Sequence, residues 1–279
     1  MAFEEQQASI DGISFSYLRG GKGIPVLMIH GSGPGASTVG NWARVLEPLS
    51  GFCAPYAMDL IGFGRSGRKP KPPFFDFELW LKQCRAMIAR IPGGEIGIIG
   101  HSISGALALK LAAREPRVTR VLTTGCMGAP FTINEETIRT WTFPRNREEL
   151  IRAASGLIYD SSLIDEAYLQ TRERVLFADP AYAEYFESMF SGDKQSYVQA
   201  ALLTPAELGN IRCDLVMMHG RDDRPFPADP LTLTLAKSLP QADVILLGRC
   251  SHSIAMEHPH KLIDAANRLF NQASKIGFQ

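Results

Sequence analysis

Apolar residues along the 279-residue chain fall into short unbroken runs separated by stretches of helical spacing. The runs at 25–30, 55–59, 96–100, 118–124, 213–219 and 244–248 have the length and composition of strands buried on both faces. Between them, 77–91, 103–114, 231–239 and 260–270 repeat apolar positions with the period of a helix that buries one face. Strand and helix in alternation predict a mostly parallel central sheet flanked by helices, with chemistry collected beyond the carboxyl ends of the strands. The alternation lapses between 134 and 203, where no run reads as strand and helical patches at 148–158, 162–176 and 181–190 mix aromatic and charged residues. A helical block spliced between two strands predicts a cap over the carboxyl edge, closing a site from water.

Composition narrows the partners. With 45% hydrophobic and 21% charged residues the chain carries enough apolar material for one or two domains with a substantial core. Lys and Arg balance Asp and Glu at 29 each, and no basic cluster offers a footprint for nucleic acid or an anionic membrane. The opening Met1-Ala2-Phe3-Glu4-Glu5-Gln6-Gln7 is acidic where a secretory signal is basic and then apolar. No run approaches the roughly 18 apolar residues of a membrane span, so a cytoplasmic protein is expected. The five cysteines, Cys53, Cys84, Cys126, Cys213 and Cys250, are odd in number and scattered, which argues against a disulfide framework and a zinc site.

Three loops at strand ends carry the candidate chemistry. After the run 96–100 comes Gly100-His101-Ser102-Ile103-Ser104-Gly105 and then a helical stretch at once. Strand, sharp turn and helix around one serine is the setting of a nucleophile elbow, whose crowding demands small neighbours. Ser104 stands where the strict Gly-x-Ser-x-Gly pattern has glycine; it is small, but adds a hydroxyl behind the nucleophile. The bland reading of Ser102 is an N-cap. His30-Gly31-Ser32-Gly33-Pro34-Gly35 follows the run 25–30, without the Lys-Ser or Lys-Thr of a P-loop or the third glycine of a dinucleotide fingerprint. Such a loop can aim a backbone N–H at an oxyanion, so the amides of Ser32 and Ile103 are the candidate oxyanion hole. His30 is expected to pack beneath the loop. A serine needs a base, and the base an orienting acid. Asp222 and Asp223 lie on the turn after 213–219, and His252 lies after 244–248 in Gly248-Arg249-Cys250-Ser251-His252-Ser253. The chain order serine, aspartate, histidine is that of the α/β-hydrolase triad, which needs no metal or other cofactor. His219, His258 and His260 read as structural or surface residues.

These motifs, together with Met58-Asp59-Leu60-Ile61-Gly62-Phe63-Gly64-Arg65-Ser66, resemble those of the meta-cleavage-product hydrolases. These α/β-hydrolases cleave carbon–carbon bonds in ring-fission products of aromatic degradation. The resemblance covers nearly the whole chain, and 157–166 is similar to the branch acting on 2-hydroxymuconate semialdehyde and its alkyl relatives. It implies the α/β-hydrolase fold with a helical cap inserted after the sixth strand: core at 1–130 and 206–279, cap at 131–205. It selects Asp223 as the triad acid beside Ser102 and His252. It also implies that Asn41, His101, Arg172 and Ser253 bind the dienoate end of the substrate. The chain departs from the family at His101 (usually asparagine), Ser253 (usually tryptophan) and Ser251 (usually glycine). The expected partners are a small-molecule substrate and, at most, further copies of the chain in a homodimer or higher homo-oligomer. The expected reaction is hydrolysis of a 2-hydroxy-6-oxohexa-2,4-dienoate-type compound. A carboxylesterase or lactonase would use the same triad, a noncatalytic binding protein would keep only the fold, and a cofactor-free lyase or oxygenase would tolerate loss of Ser102.

Overall fold

The computed structural model describes residues 3–271, so Met1, Ala2 and residues 272–279 of the expected core lie outside the described residues. Its centre is one eight-stranded sheet of order β1-β2-β4-β3-β5-β6-β7-β8. Six strands answer to the apolar runs: β3 (Ile24–Ile29), β4 (Cys53–Met58), β5 (Ile96–His101), β6 (Val118–Thr124), β7 (Asp214–Gly220) and β8 (Ala242–Leu247). These six pair in parallel. Every residue of β5 is buried, as a central strand covered on both faces requires. The periodicity misses β1 (Glu4–Ile10) and β2 (Ile13–Arg19), an antiparallel hairpin that extends the sheet beyond β4.

Helices cover the sheet. The segments Phe77–Arg90, Ile103–Ala112 and Pro259–Phe270 follow the expected ranges; the first and last bury one apolar face, whereas Ile103–Ala112 is buried on all sides. The helix expected over 231–239 forms over 229–236, opening with a π-helical turn, Asp229–Leu233, that runs directly into Thr234–Ala236. Pro230 sits in its first turn, where the missing N–H is tolerated. Between β6 and β7 the described elements are all helical, including Glu135–Thr140, Arg147–Leu157, Glu166–Phe177, Pro180–Met189 and Lys194–Ala201. The patch expected at 162–176 divides into a 3-10 turn, Ser161–Leu163, and the helix from Glu166, whose N-cap Asp165 accepts from the Tyr168 amide. Among the described residues no helix is long and apolar enough to cross a membrane.

Close packing behind β5 fixes the elbow. A Cβ added to Gly100 would lie 2.3 Å from the Ser104 carbonyl oxygen, and one on Gly105 would lie 2.6 Å from Cys126 Sγ. Gly100→Ala is therefore expected to destabilise the protein by about 1–3 kcal/mol or more, because backbone rather than a flexible side chain must yield. A denaturation midpoint equal to that of the parent would contradict this.

Candidate active site

β5 delivers its chain into a strained turn. Ser102 has φ +60° and ψ −126°, a region that a side-chain-bearing residue adopts only where its surroundings enforce it. Enforcement comes from both sides: the Ser102 amide donates to Thr124 O (2.9 Å), and its carbonyl accepts from the amides of Gly105 (2.9 Å) and Met127 (3.1 Å). Ser102 makes no side-chain cap to the helix it precedes, so its hydroxyl is not spent as an N-cap. The Ser104 hydroxyl donates to His30 O at 2.6 Å. It thus ties the elbow to the glycine-rich loop after β3, where the sequence suggested only crowding.

The glycine-rich loop lies alongside. Neither the Ser32 nor the Ile103 amide donates a hydrogen bond among the described residues, which leaves both available to a ligand. Ser32 Oγ accepts from Trp141 Nε1 at 3.0 Å, so the loop is held from the helical segment between β6 and β7. His30 is fully buried beneath it. Its Nδ1 donates to Gly31 O (2.6 Å) and its Nε2 accepts from the Leu60 amide (3.0 Å). Burial holds His30 below the ordinary imidazole range despite the opposing Asp59 carboxylate and the Gly31 hydrogen bond.

The loops after β7 and β8 bring acid and base together. His252 Nδ1 lies 2.7 Å from Asp223 Oδ2, with both side chains almost wholly enclosed. Asp222 turns elsewhere, its carboxylate accepting from the Cys250 amide at 3.4 Å. Asp223 Oδ1 accepts from the Phe226 amide at 3.0 Å, and His219 Nε2 stands 3.2 Å from Oδ2. Burial alone would raise the Asp223 carboxyl, but the charge of His252 and hydrogen bonds from His219 and His252 outweigh it and bring it down to about 2. His219, read from sequence as structural, thus supports the acid directly. The His252 ring packs against two others, 4.6 Å from Phe226 and 4.6 Å from His101.

A cavity of about 690 Å³, counting its open mouth, is lined by Ser32, Ser102 and His252. A smaller chamber of about 320 Å³ adjoins it, reaching Trp42 and the turn at Ile254. Among the described residues, Asn41, His101, Arg172 and Ser253 alone line both spaces. Arg172 donates to Gly35 O at 2.9 Å, lies over the Tyr168 ring at 5.5 Å, and makes no ion pair among the described residues. His101 Nδ1 lies 3.1 Å from Thr124 O. Since a carbonyl oxygen only accepts, Nδ1 carries the proton and Nε2 offers a lone pair. Burial and then the adjacent His252 push His101 well below the ordinary imidazole range, against the Thr124 hydrogen bond and Asp223.

Known proteins are similar to this chain over most of their length. The chain is 29% identical over 248 residues to the 2-hydroxy-6-oxo-2,4-heptadienoate hydrolase of Pseudomonas putida, covering 88% of this chain and 89% of that one. It is equally similar, at 29% over 248 residues, to the 2-hydroxymuconate semialdehyde hydrolase of Pseudomonas sp. strain CF600, covering 88% and 87% of the two chains. A solved meta-cleavage product hydrolase from Pseudomonas fluorescens IP01 superposes with a TM-score of 0.89 at 26% identity, covering 96% of this chain and 98% of that one. The alpha/beta hydrolase family matches residues 26–265, from β3 to the last helix, and so takes in all three strand-end loops. This chain belongs to the alpha/beta hydrolase family.

Proposed function

We propose that the protein hydrolyses the C5–C6 bond of a 2-hydroxy-6-oxohexa-2,4-dienoate, with Ser102 as nucleophile, His252 as base and Asp223 as the acid that orients it. One observation carries the reading: the guanidinium of Arg172, without a carboxylate partner among the described residues, lines the same cavity as Ser102 and His252. An unpaired cation on a cavity wall fits a substrate that brings its own carboxylate. The names of the two Pseudomonas relatives supply the substrate class. The segment 131–205 acts as the cap in this reading, its Leu150, Ala153, Ala154 and Leu157 forming an apolar wall for the group on C6. The five free, buried cysteines fit a reducing, cytoplasmic setting.

The steps follow from the groups present. With the carboxylate on Arg172 and Asn41, a proton leaves O2 and one arrives at C5, assisted by His252, so that the dienol becomes a ketone. Ser102 Oγ then adds to C6 while its proton passes to His252, and the Ser32 and Ile103 amides hold the oxyanion. Collapse breaks C5–C6; the electron pair delocalises into the dienoate fragment, which takes up a proton. Water, deprotonated by His252, releases the acyl group as a carboxylic acid. His101 presents an acceptor, so it receives the O2 hydroxyl rather than the carboxylate.

Arg172→Met is expected to raise KM for such a dienoate about 10- to 100-fold, the loss of a charge-assisted hydrogen bond, while changing p-nitrophenyl acetate turnover far less. Equal losses on both substrates would contradict carboxylate recognition by Arg172. Product analysis tests the reaction itself: 2-hydroxy-6-oxohepta-2,4-dienoate and water should yield acetate and 2-hydroxypenta-2,4-dienoate in equal amounts. Absence of acetate would overturn the reading in favour of an ester or lactone hydrolase.

A further inference from the structure

The loop that carries His252 is bonded to the end of a helix that also lines the cavity. The amides of His252 and Ser253 both donate to Leu157 O, at 3.1 and 3.0 Å. Ser251 Oγ donates to Gly156 O at 3.0 Å. Glu257 completes the junction, one carboxylate oxygen accepting from the Ser251 amide (3.0 Å) and the other from the Tyr159 amide (2.8 Å). Gly156 and Leu157 are the last residues of the helix Arg147–Leu157, so two terminal carbonyls without partners inside the helix are met by the histidine loop. The same helix turns Leu150, Ala153, Ala154 and Leu157 to the cavity, at i, i+3, i+4 and i+7. His252 is therefore held by its ring to Asp223 and by its backbone to the helix that walls the cavity.

We infer that Ser251 and Glu257 are positioning residues that join the carboxyl end of the Arg147–Leu157 helix to the His252 loop, so that the apolar wall and the base move as one unit. This rests on the reading of His252 as the base. A ligand packed against the wall then sets the imidazole through the Leu157 carbonyl, and the binding of the apolar end is expressed in kcat. Ser251 adds a bond from its side chain that glycine at that position cannot make.

The test uses the full chain with p-nitrophenyl acetate and p-nitrophenyl hexanoate, reading kcat, KM and Tm for Ser251→Ala, Glu257→Gln and Ser251→Thr. Ser251→Ala and Glu257→Gln are expected to lower kcat about tenfold with KM within about twofold, and Ser251→Thr, which keeps the hydroxyl, to recover most of the loss. Combining Ser251→Ala with Leu150→Ala, at the far end of the wall, should give a kcat effect that is not the product of the two separate effects. Parental kcat in both Ser251→Ala and Glu257→Gln, whatever their Tm, overturns the inference, as do multiplicative effects in the double variant. His252→Ala separates the two claims. If it stays active, the assignment of the base fails; if it is inactive while Ser251→Ala and Glu257→Gln turn over normally, only the coupling fails.

Discussion

Ser102→Ala is expected to lower turnover by about 10⁴- to 10⁶-fold while leaving KM nearly unchanged, because the nucleophile acts with its base as one unit and contributes little to ground-state binding. The backbone at Ser102 is held at φ +60° by bonds to Thr124, Gly105 and Met127, none of which involves the hydroxyl. Alanine keeps that turn, so the loss reads chemistry rather than folding. Single-turnover kinetics would measure it, and intact-protein mass after a fluorophosphonate probe should show the adduct in the parent alone. Substantial residual turnover in the variant would point instead to lyase or oxygenase chemistry that uses His252 and Asp223 without the serine.

Asp223→Asn should cost on the order of 10³- to 10⁴-fold in kcat. The direction follows from the hydrogen bonds around the carboxylate. Phe226 N–H donates to Oδ1, which fixes the amide oxygen of an asparagine there and turns its NH₂ toward His252 Nδ1 and His219 Nε2. His252 would then accept at Nδ1 and carry its proton on Nε2, where it cannot take one from Ser102. The NH₂ also removes the oxygen acceptor that His219 Nε2 meets at Oδ2. A pH–rate profile retaining its shape and height would contradict this. The parent carboxylate makes a second, separate prediction. Its value in the folded protein, about 2, lies below the ~3.9 of an unfolded chain. The stability it contributes is therefore complete above about pH 4 and lost as pH falls through 2. Acid denaturation of Asp223→Asn should lack that component.

Much of this was legible because α/β chains confine their chemistry to strand ends, and buried parallel strands announce themselves as apolar runs. Ser102, Asp223 and His252 each follow such a run, and their order suggested a triad; the structure pairs Asp223 with His252 and sets Ser102 and His252 on one cavity. Selecting Asp223 over Asp222 required resemblance, since two adjacent carboxylates on one turn point in different directions that composition does not encode. The β1–β2 hairpin escaped because Glu4-Glu5-Gln6-Gln7 places polar residues on both faces at the sheet edge, although Asp11-Gly12, with φ +51° and +78°, is a hairpin turn signal. The 231–239 pattern was apolar enough for a helix, but gave no sign of the π-helical turn at its start. Contacts between distant segments had no local signature: Ser104 with His30, Trp141 with Ser32, and Glu257 with Tyr159 depend on how the helical segment settles over the sheet. Arg172 shows this most clearly, an arginine among Glu173 and Arg174 in sequence but a cavity residue in the fold.

The most direct test of the central claim is the loss of dienolate colour when the purified protein meets 2-hydroxymuconate semialdehyde and its 6-methyl and 6-phenyl analogues, with p-nitrophenyl acetate followed in parallel. Rapid bleaching that disappears in Ser102→Ala is the predicted result and would rank the C6 substituents against the Leu150 to Leu157 wall. Ester turnover without bleaching would contradict it, and would mean that an intact triad serves another acyl substrate.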